Sequence, residues 1–418
     1  MRADEADAGE KAWWDGTHRT VPPAETLARL KPLLPAIGVT RVACQTGLDR
    51  VGIPVVSAIR PNSRSIAAHQ GKGLGVEAAK ASAIMEAAEA FHAENIRHPL
   101  RLARFEELAS RALDPARLPL THSGKDPHAE RILWVEGVDL RRHEHTWVPF
   151  ELVSADYTYP QPAGSGLFQA TTNGLGAGNH PLEAMTHALY EVVERDAIAL
   201  WRAAPAHLKA KSAVDPASIT DPSNRAVLER LAVAGLAVHV WDVTSDVGIP
   251  AYLCLIVPER AGDETEPELG SGCHVAPAVA LNRAMTEAAQ ARLTRIVGAR
   301  DDFIPDSYEE TTRQHRYDTA RQWRDLARAP RRPMAEAALR ATLRDDLDHG
   351  LSRLEAAGLG RAVWVDLSWP EIGVPVGRLV VEGLEGPWTP PGGGYVPGAR
   401  ALMMGQGTLG PGTWGQGP

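Results

Sequence analysis

Apolar and polar positions group along the chain into segments of distinct character. From Val76 to Glu94 an alanine-rich stretch runs without glycine or proline and stops before His98-Pro99, which predicts one long helix. Two further long helices are expected at about Pro181 to Ala203 and Pro277 to Val297. Short β-branched stretches punctuated by glycine and proline between Gly38 and Val56 predict two strands and a turn, after a short helix ending near Pro35. The runs 132–140 and 146–153 flank a charged turn, Arg141 to His145, and predict a hairpin. A helix and a strand are expected within 225–243, a buried strand at 251–257, and a strand pair at 362–368 and 376–382. Residues 306–358 interleave arginine with acids and read as a solvated helical surface, and Gly386 to Pro418 as irregular structure or a tail. The fold class expected is mixed α/β, with sheets flanked by helices.

A repeat lies inside the three long helices. With Glu86, Glu191 and Glu287 aligned, alanines stand three residues earlier (Ala83, Ala188, Ala284) and glycines fifteen earlier (Gly71, Gly176, Gly272). Three residues later stand Glu89, Glu194 and Gln290. Residues three apart share a helix face, so each pair converges on one point. A lone Glu pair is usually a solvated face. These pairs sit among Ala83, Ala87, Ala88, Val192 and Val193, where carboxylates are costly unless paired or bound to metal. Carboxylate oxygens suit Mg²⁺, which keeps water and substrate phosphates in its shell. Lys72, Arg195 and Arg292 supply cations beside the same elements, so a polyphosphate bridged by Mg²⁺ is the natural ligand. No Gly-x-x-x-x-Gly-Lys-[Ser/Thr] loop occurs, and Gly71, Gly73 and Gly75 fall one residue short of the dinucleotide fingerprint.

Composition narrows the classes. With 44% hydrophobic and 23% charged residues the chain is that of a folded protein rather than a disordered one. Lys+Arg number 44 against 52 Asp+Glu, giving −8, the wrong sign for gripping nucleic acid or an anionic membrane through the overall field. Cys44, Cys254 and Cys273 are scattered and form no Cys-x-x-Cys pair, and no His-Glu-x-x-His occurs, so neither a disulfide framework nor a zinc site is expected. Cys273, beside the third glycine, reads as a small buried thiol. The acidic start lacks the features of a secretory signal, and no apolar run approaches the length of a membrane helix. A reducing cytoplasm is the expected compartment.

Three segments together resemble the YcaO family of ATP-dependent enzymes that activate peptide backbone amides. They are Gly71-Lys-Gly-Leu-Gly75 with Ser82-Ala-Ile-Met-Glu-Ala-Ala-Glu89, Asn173 to Glu183 continuing to Tyr190-Glu-Val-Val-Glu-Arg-Asp196, and Glu287-Ala-Ala-Gln-Ala-Arg292. The resemblance covers about residues 36–400. It implies one catalytic domain there, a lead-in at 1–35 and a Gly/Pro-rich tail at 401–418. It also implies that Glu86, Glu89, Glu191 and Glu194 hold Mg²⁺ against the phosphates of ATP. Ser82, Asn179, Glu183, Arg195, Glu287, Gln290 and Arg292, with Arg41 and Lys72, are the nucleotide contacts implied, and Glu191, Arg195 and Arg292 the catalytic residues. Ala90 departs from the pattern, because many members carry arginine after the second Glu of the first helix.

The segments Trp134-Val-Glu-Gly137, Trp147 to Val153 and Leu281 to Gln290 are similar to the branch paired with a TfuA protein. That branch implies thioamide formation on a ribosomally made precursor peptide, with a TfuA-like partner and a sulfur donor. The chain's end lacks the Pro-x-Pro-x-Pro tail that azoline-forming members often carry, so cyclodehydration is the second reading. A non-catalytic scaffold that holds ATP is the third. No nucleic-acid or membrane partner is expected, and a homodimer stays open.

Overall fold

The computed structural model describes residues 7–259, 266–303, 305–327, 331–336, 339–389 and 395–407. In chain order the elements begin with helix α1 (Pro23–Leu30), strands β1 (Arg41–Cys44), β2 (Val55–Ile59) and β3 (Ala68–Lys72), and the long helix α2 (Val76–Glu94). Next come β4 (Leu100–Ala103), α3 (Phe105–Leu108), β5 (Ile132–Asp139), β6 (His145–Pro149), β7 (Leu175–Ala177) and the long helix α4 (Pro181–Ala203). They are followed by α5 (Ala206–Lys211), α6 (Pro222–Val233), β8 (Leu236–Asp242), β9 (Ala251–Pro258), β10 (Glu268–Cys273) and the third long helix α7 (Pro277–Val297). Helices α8 (Glu310–Leu326) and α9 (Leu343–Ala356), strands β11 (Ala362–Asp366) and β12 (Val376–Val381), and α10 (Ala399–Gly405) complete the described chain.

The strands form three antiparallel sheets. β2 lies between β1 and β3, β9 lies between β8 and β10, and a larger sheet runs β4-β5-β11-β12-β7 with β6 on the other edge of β5. The expected hairpin at 132–153 is present as β5 and β6. The three long helices occupy the ranges that the sequence pattern predicts.

Each long helix follows a strand that the sequence pattern reads as a glycine loop: β3 precedes α2, β7 precedes α4 and β10 precedes α7. The three aligned glycines are strand residues lying under these helices. A Cβ on Gly71 would meet the Ala83 nitrogen at 2.1 Å, one on Gly176 the Ala184 oxygen at 2.4 Å, and one on Gly272 the Ala280 oxygen at 2.1 Å. The glycine and alanine columns of the repeat are therefore facing sides of one contact, in which helix backbone rests on strand backbone.

Each helix also reaches the next unit's strand. α2 packs on β3 and β7, α4 on β7 and β10, and α7 on β10 and β3, so the three units close into a ring. Three apolar clusters surround it. One joins α4, α9 and β9, a second joins α2 to the large sheet, and a third lies between α6, α7 and the far side of β9.

Segments flanking the expected catalytic domain are built into the fold. The lead-in packs against the ring beyond residue 10: Lys11 and His18 are buried, and Thr20 bonds to Glu183 on α4. In the expected tail, Ala399–Gly405 is helical and buries Ala401 and Met404 against α4. The remainder of that tail, from residue 408, lies outside the described residues.

Candidate active site

The ring points its acid pairs at a common centre. Glu86 and Glu89 come from α2, Glu191 and Glu194 from α4, and Glu287 from α7. The Ala177 amide donates to Glu89 Oε1 at 2.7 Å, tying the α2 carboxylate to the second unit's strand. Lys72 Nζ donates to Glu287 Oε2 at 2.9 Å and so joins the first unit to the third. Arg195 Nη1 lies 3.1 Å from Glu194, and its Nη2 lies 3.9 Å from Glu191. The Ser271 hydroxyl, on β10, stands 2.6 Å from Glu194 and 3.1 Å from Glu287, with one proton to share between them.

Burial outweighs the cations that face these acids. Burial pushes the Glu86 carboxyl up to about 7 against Arg300 and Lys72, and pushes Glu191 up to about 7 against Arg195. Glu89 is held well above the ordinary range by burial and by the charges of Glu191 and Glu86. Glu194 is raised by burial. Glu287 moves the other way, because Lys72 and Arg195 overcome its burial. Four partly buried carboxylates that resist joint ionisation are what a divalent cation relieves, and their oxygens are the hard ligands that Mg²⁺ prefers. Among the described residues no three of these carboxylates bring their oxygens within 4.8 Å of one another.

A pH dependence follows for the Mg²⁺-free protein. The carboxyls of Glu86 and Glu191 titrate at 4.5 in the unfolded chain and at about 7 in the fold. The folded state holds these protons more tightly, so this contribution to stability is full below about 4.5 and is lost as pH rises through about 7. Thermal melts from about pH 5 to about pH 8 should show Mg²⁺ raising the melting temperature most at the upper end. A Mg²⁺ effect that does not vary with pH would contradict the donor set.

The remaining expected residues divide. Ser82 lies exposed on α2 one turn before Glu86, and Gln290 donates to the Gln70 carbonyl at 3.2 Å. Asn179 donates to Thr26 Oγ1 at 3.0 Å. Glu183 is buried and accepts from Thr20 N, Thr20 Oγ1 and Asn179 N at 2.6–2.8 Å, so Oε1 pins the N-terminal segment to α4 and Oε2 holds the turn that leads into α4. Arg41 is exposed at the start of β1, two strands from β3.

Arg292 is not brought to the cluster. It is 2% exposed, and its Nε and Nη2 meet Asp49 at 2.9 and 3.2 Å. Five residues of helix turn it about 140° away from Glu287. Arg283, one turn before Glu287, is the α7 arginine on the correct face, with Nη1 donating to the Cys273 carbonyl and Glu194 within electrostatic reach. Reading the helix by face rather than by proximity to Gln290 would have found it. Arg19, His187 and Ser271 also lie near the acid pairs, and the repeat pattern singles out none of them. Arg19 lies within electrostatic reach of Glu89, and no helical spacing connects that N-terminal segment to α2. His187, one turn before Glu191, is held neutral by burial among Arg283, Arg19, Lys72 and Arg195. Cys273 is fully buried, which raises its thiol, as expected of a packing residue.

His18, His274 and Asp346 bring three ligand atoms within 4.8 Å of one another. Lys11 already supplies a cation to this cluster. Lys11 Nζ lies 2.7 Å from Asp346, and His274 Nδ1 accepts from the Ala276 amide, which leaves that ring's proton on Nε2. Burial pushes His18 down to about 3, so both rings stay neutral. The cluster anchors the N-terminal segment to the third unit and to α9.

Residues 70–385 match the family described as YcaO cyclodehydratase, ATP- and Mg²⁺-binding, and the chain belongs to that family. Its ligands are thus ATP and Mg²⁺. It is 38% identical over 379 residues, 88% of each chain, to a Rhizobium leguminosarum bv. trifolii protein from the region 3′ of tfuA. A Methanothermobacter thermautotrophicus protein is 34% identical over 88% of this chain and 95% of its own length. Among solved structures, YcaO from Methanopyrus kandleri bound with AMPPCP and Mg²⁺ superposes with a TM-score of 0.71 at 25% identity, covering 90% of this chain and 95% of that one. A heterocyclase in complex with substrate and cofactor shares the fold, with a TM-score of 0.73 at 22% identity, and this chain spans 57% of its length. Among the described residues no helix is long and apolar enough to cross a membrane.

Proposed function

We propose that this protein phosphorylates a backbone amide oxygen of a ribosomally made peptide at the expense of ATP, and that the product is a thioamide formed together with a TfuA-like partner. The observation that carries the phosphoryl-transfer reading is the set of four carboxylates on α2 and α4, raised by burial and facing Lys72 and Arg195. Glu86, Glu89, Glu191 and Glu194 would hold Mg²⁺, which supplies neutralisation of phosphate charge. Arg195, Arg283 and Lys72 orient the phosphate oxygens, and the buried helices around them limit water. Positioning and charge balance carry most of such a transfer, which matches a site without an obvious nucleophile.

The steps balance with sulfide or a bound equivalent as sulfur donor. A sulfur lone pair adds to the carbonyl carbon, and the carbonyl π electrons move to oxygen. That oxyanion takes the γ-phosphoryl group, and ADP leaves. The C–O bond then breaks, inorganic phosphate departs with the former amide oxygen, and loss of the sulfur proton gives C=S. An amide oxygen is a poor leaving group, and phosphorylation makes it a good one.

The thioamide reading draws on the relative from the tfuA region. The family's description as cyclodehydratase favours the second reading, in which a Cys, Ser or Thr side chain of the substrate is the nucleophile. Mass spectrometry of the precursor peptide after co-expression with the TfuA-like partner separates them. Thioamidation raises the peptide mass, cyclodehydration lowers it by one water, and an unmodified peptide with no ATP consumed would leave only a scaffold that holds ATP.

A further inference from the structure

Arg378 is a buried cation close to the acid pairs. It lies on β12 opposite Leu175 of β7 and points to the same side of the sheet as Val376 and Val380, the side that α2 covers. Its side chain is 2% exposed. Nη2 donates to the Thr171 carbonyl at 2.5 Å, while Nε and Nη1 find no partner among the described residues. Burial, only partly offset by Tyr157, Glu191 and Glu89, lowers its pKa to about 10. A guanidinium with two unmet donors and no direct ion pair is costly to hold in a fold, and natural interiors seldom keep one without a partner.

Its position indicates what that partner is. Val376, two residues before Arg378 on the same face, pairs with Ala177, whose amide holds the Glu89 carboxylate. Arg378 therefore stands beside the metal-binding acids on the sheet side, whereas Arg195 and Lys72 approach from the helices and the glycine strands. The residue after Glu89 is Ala90, so α2 brings no cation of its own to this side.

We propose that Arg378 is a catalytic residue whose free donors hold the γ-phosphoryl oxygens of ATP. The assignment rests on the nucleotide reading above and deepens it: Mg²⁺ on the four carboxylates neutralises the phosphate chain from one side, and Arg378 from the other. Charge-assisted donors of this kind also follow the group as its charge redistributes during transfer. The competing account is structural. A cavity of about 30 Å³ bounded by Arg378, Thr171 and Asn173 has room for one water, which would satisfy the same donors.

Calorimetric titration of the full chain with Mg·ADP and with a Mg-bound non-hydrolysable ATP analogue decides between them. The wild type should prefer the analogue. Arg378→Met should lose about 10- to 100-fold of analogue affinity while Mg·ADP binding changes less than about twofold. Arg378→Lys, which keeps the charge but not the planar fork, should retain part of the preference and covers the case in which the methionine variant does not fold. An analogue preference unchanged in both variants would overturn the assignment in favour of the water. A wild type that binds neither nucleotide would instead overturn the nucleotide reading itself.

Discussion

Glu191→Gln should reduce Mg·ATP affinity by at least about 100-fold and peptide-dependent ATP turnover by about 10³-fold, while the folded state keeps its stability. The substitution preserves shape and removes one negative charge from a group that faces both Arg195 and the α2 carboxylates. In the Mg²⁺-free protein that removal relieves repulsion, since Glu191 is one of the charges that raise Glu89 and Glu86. Stability and function should therefore move in opposite directions: the melting temperature without Mg²⁺ holds or rises, and the stabilisation conferred by Mg·ATP disappears. A purely structural carboxylate would lose both together. ATP consumption equal to wild type would remove Glu191 from the site.

Gly272→Val should have the largest effect on stability, more than about 3 kcal/mol, enough to leave much of the chain unfolded or insoluble. The first added carbon would meet backbone atoms, Ala280 O at 2.1 Å and Ala284 N at 2.8 Å, which no rotamer change can move aside. Gly71 and Gly176 stand in the same relation to α2 and α4, and valine there should act alike. Gly75, whose added Cβ would meet no atom within 4 Å, serves as the control, and Gly75→Ala should change stability by less than about 1 kcal/mol in chemical denaturation. If Gly272→Val folded normally and lost only nucleotide binding, the glycines would be phosphate-loop residues rather than points where helix and strand touch.

This contrast shows where reading the chain succeeds. The acid pairs, the alanines before them and the three helices are visible because a helix imposes a local period, and Glu86 with Glu89 or Glu191 with Glu194 must share a face wherever the helix sits. The strands β3, β7 and β10 are not visible as strands. Their inward positions are glycines placed under helix backbone, so the alternation that identifies a half-buried strand is missing. Arg292 and Arg283 show the same limit on one helix. Both lie on α7, but only helical phase separates the arginine held by Asp49 from the one beside Glu194.

By itself, then, the order of residues along the chain determines the long helices, the convergence of each acid pair, and the need for a cation among alanines and valines. Tertiary structure alone decides that the three units close into one ring and bring their acids to one centre. It also decides that Lys72 of the first unit answers Glu287 of the third, and that Arg19, Arg283 and Arg378 arrive from an N-terminal segment, a helix face and a sheet strand. The physical reason is range. Helical period and burial cost act between neighbours in sequence, whereas the cations around the acid pairs are set by contacts between elements up to hundreds of residues apart, and no local pattern records them.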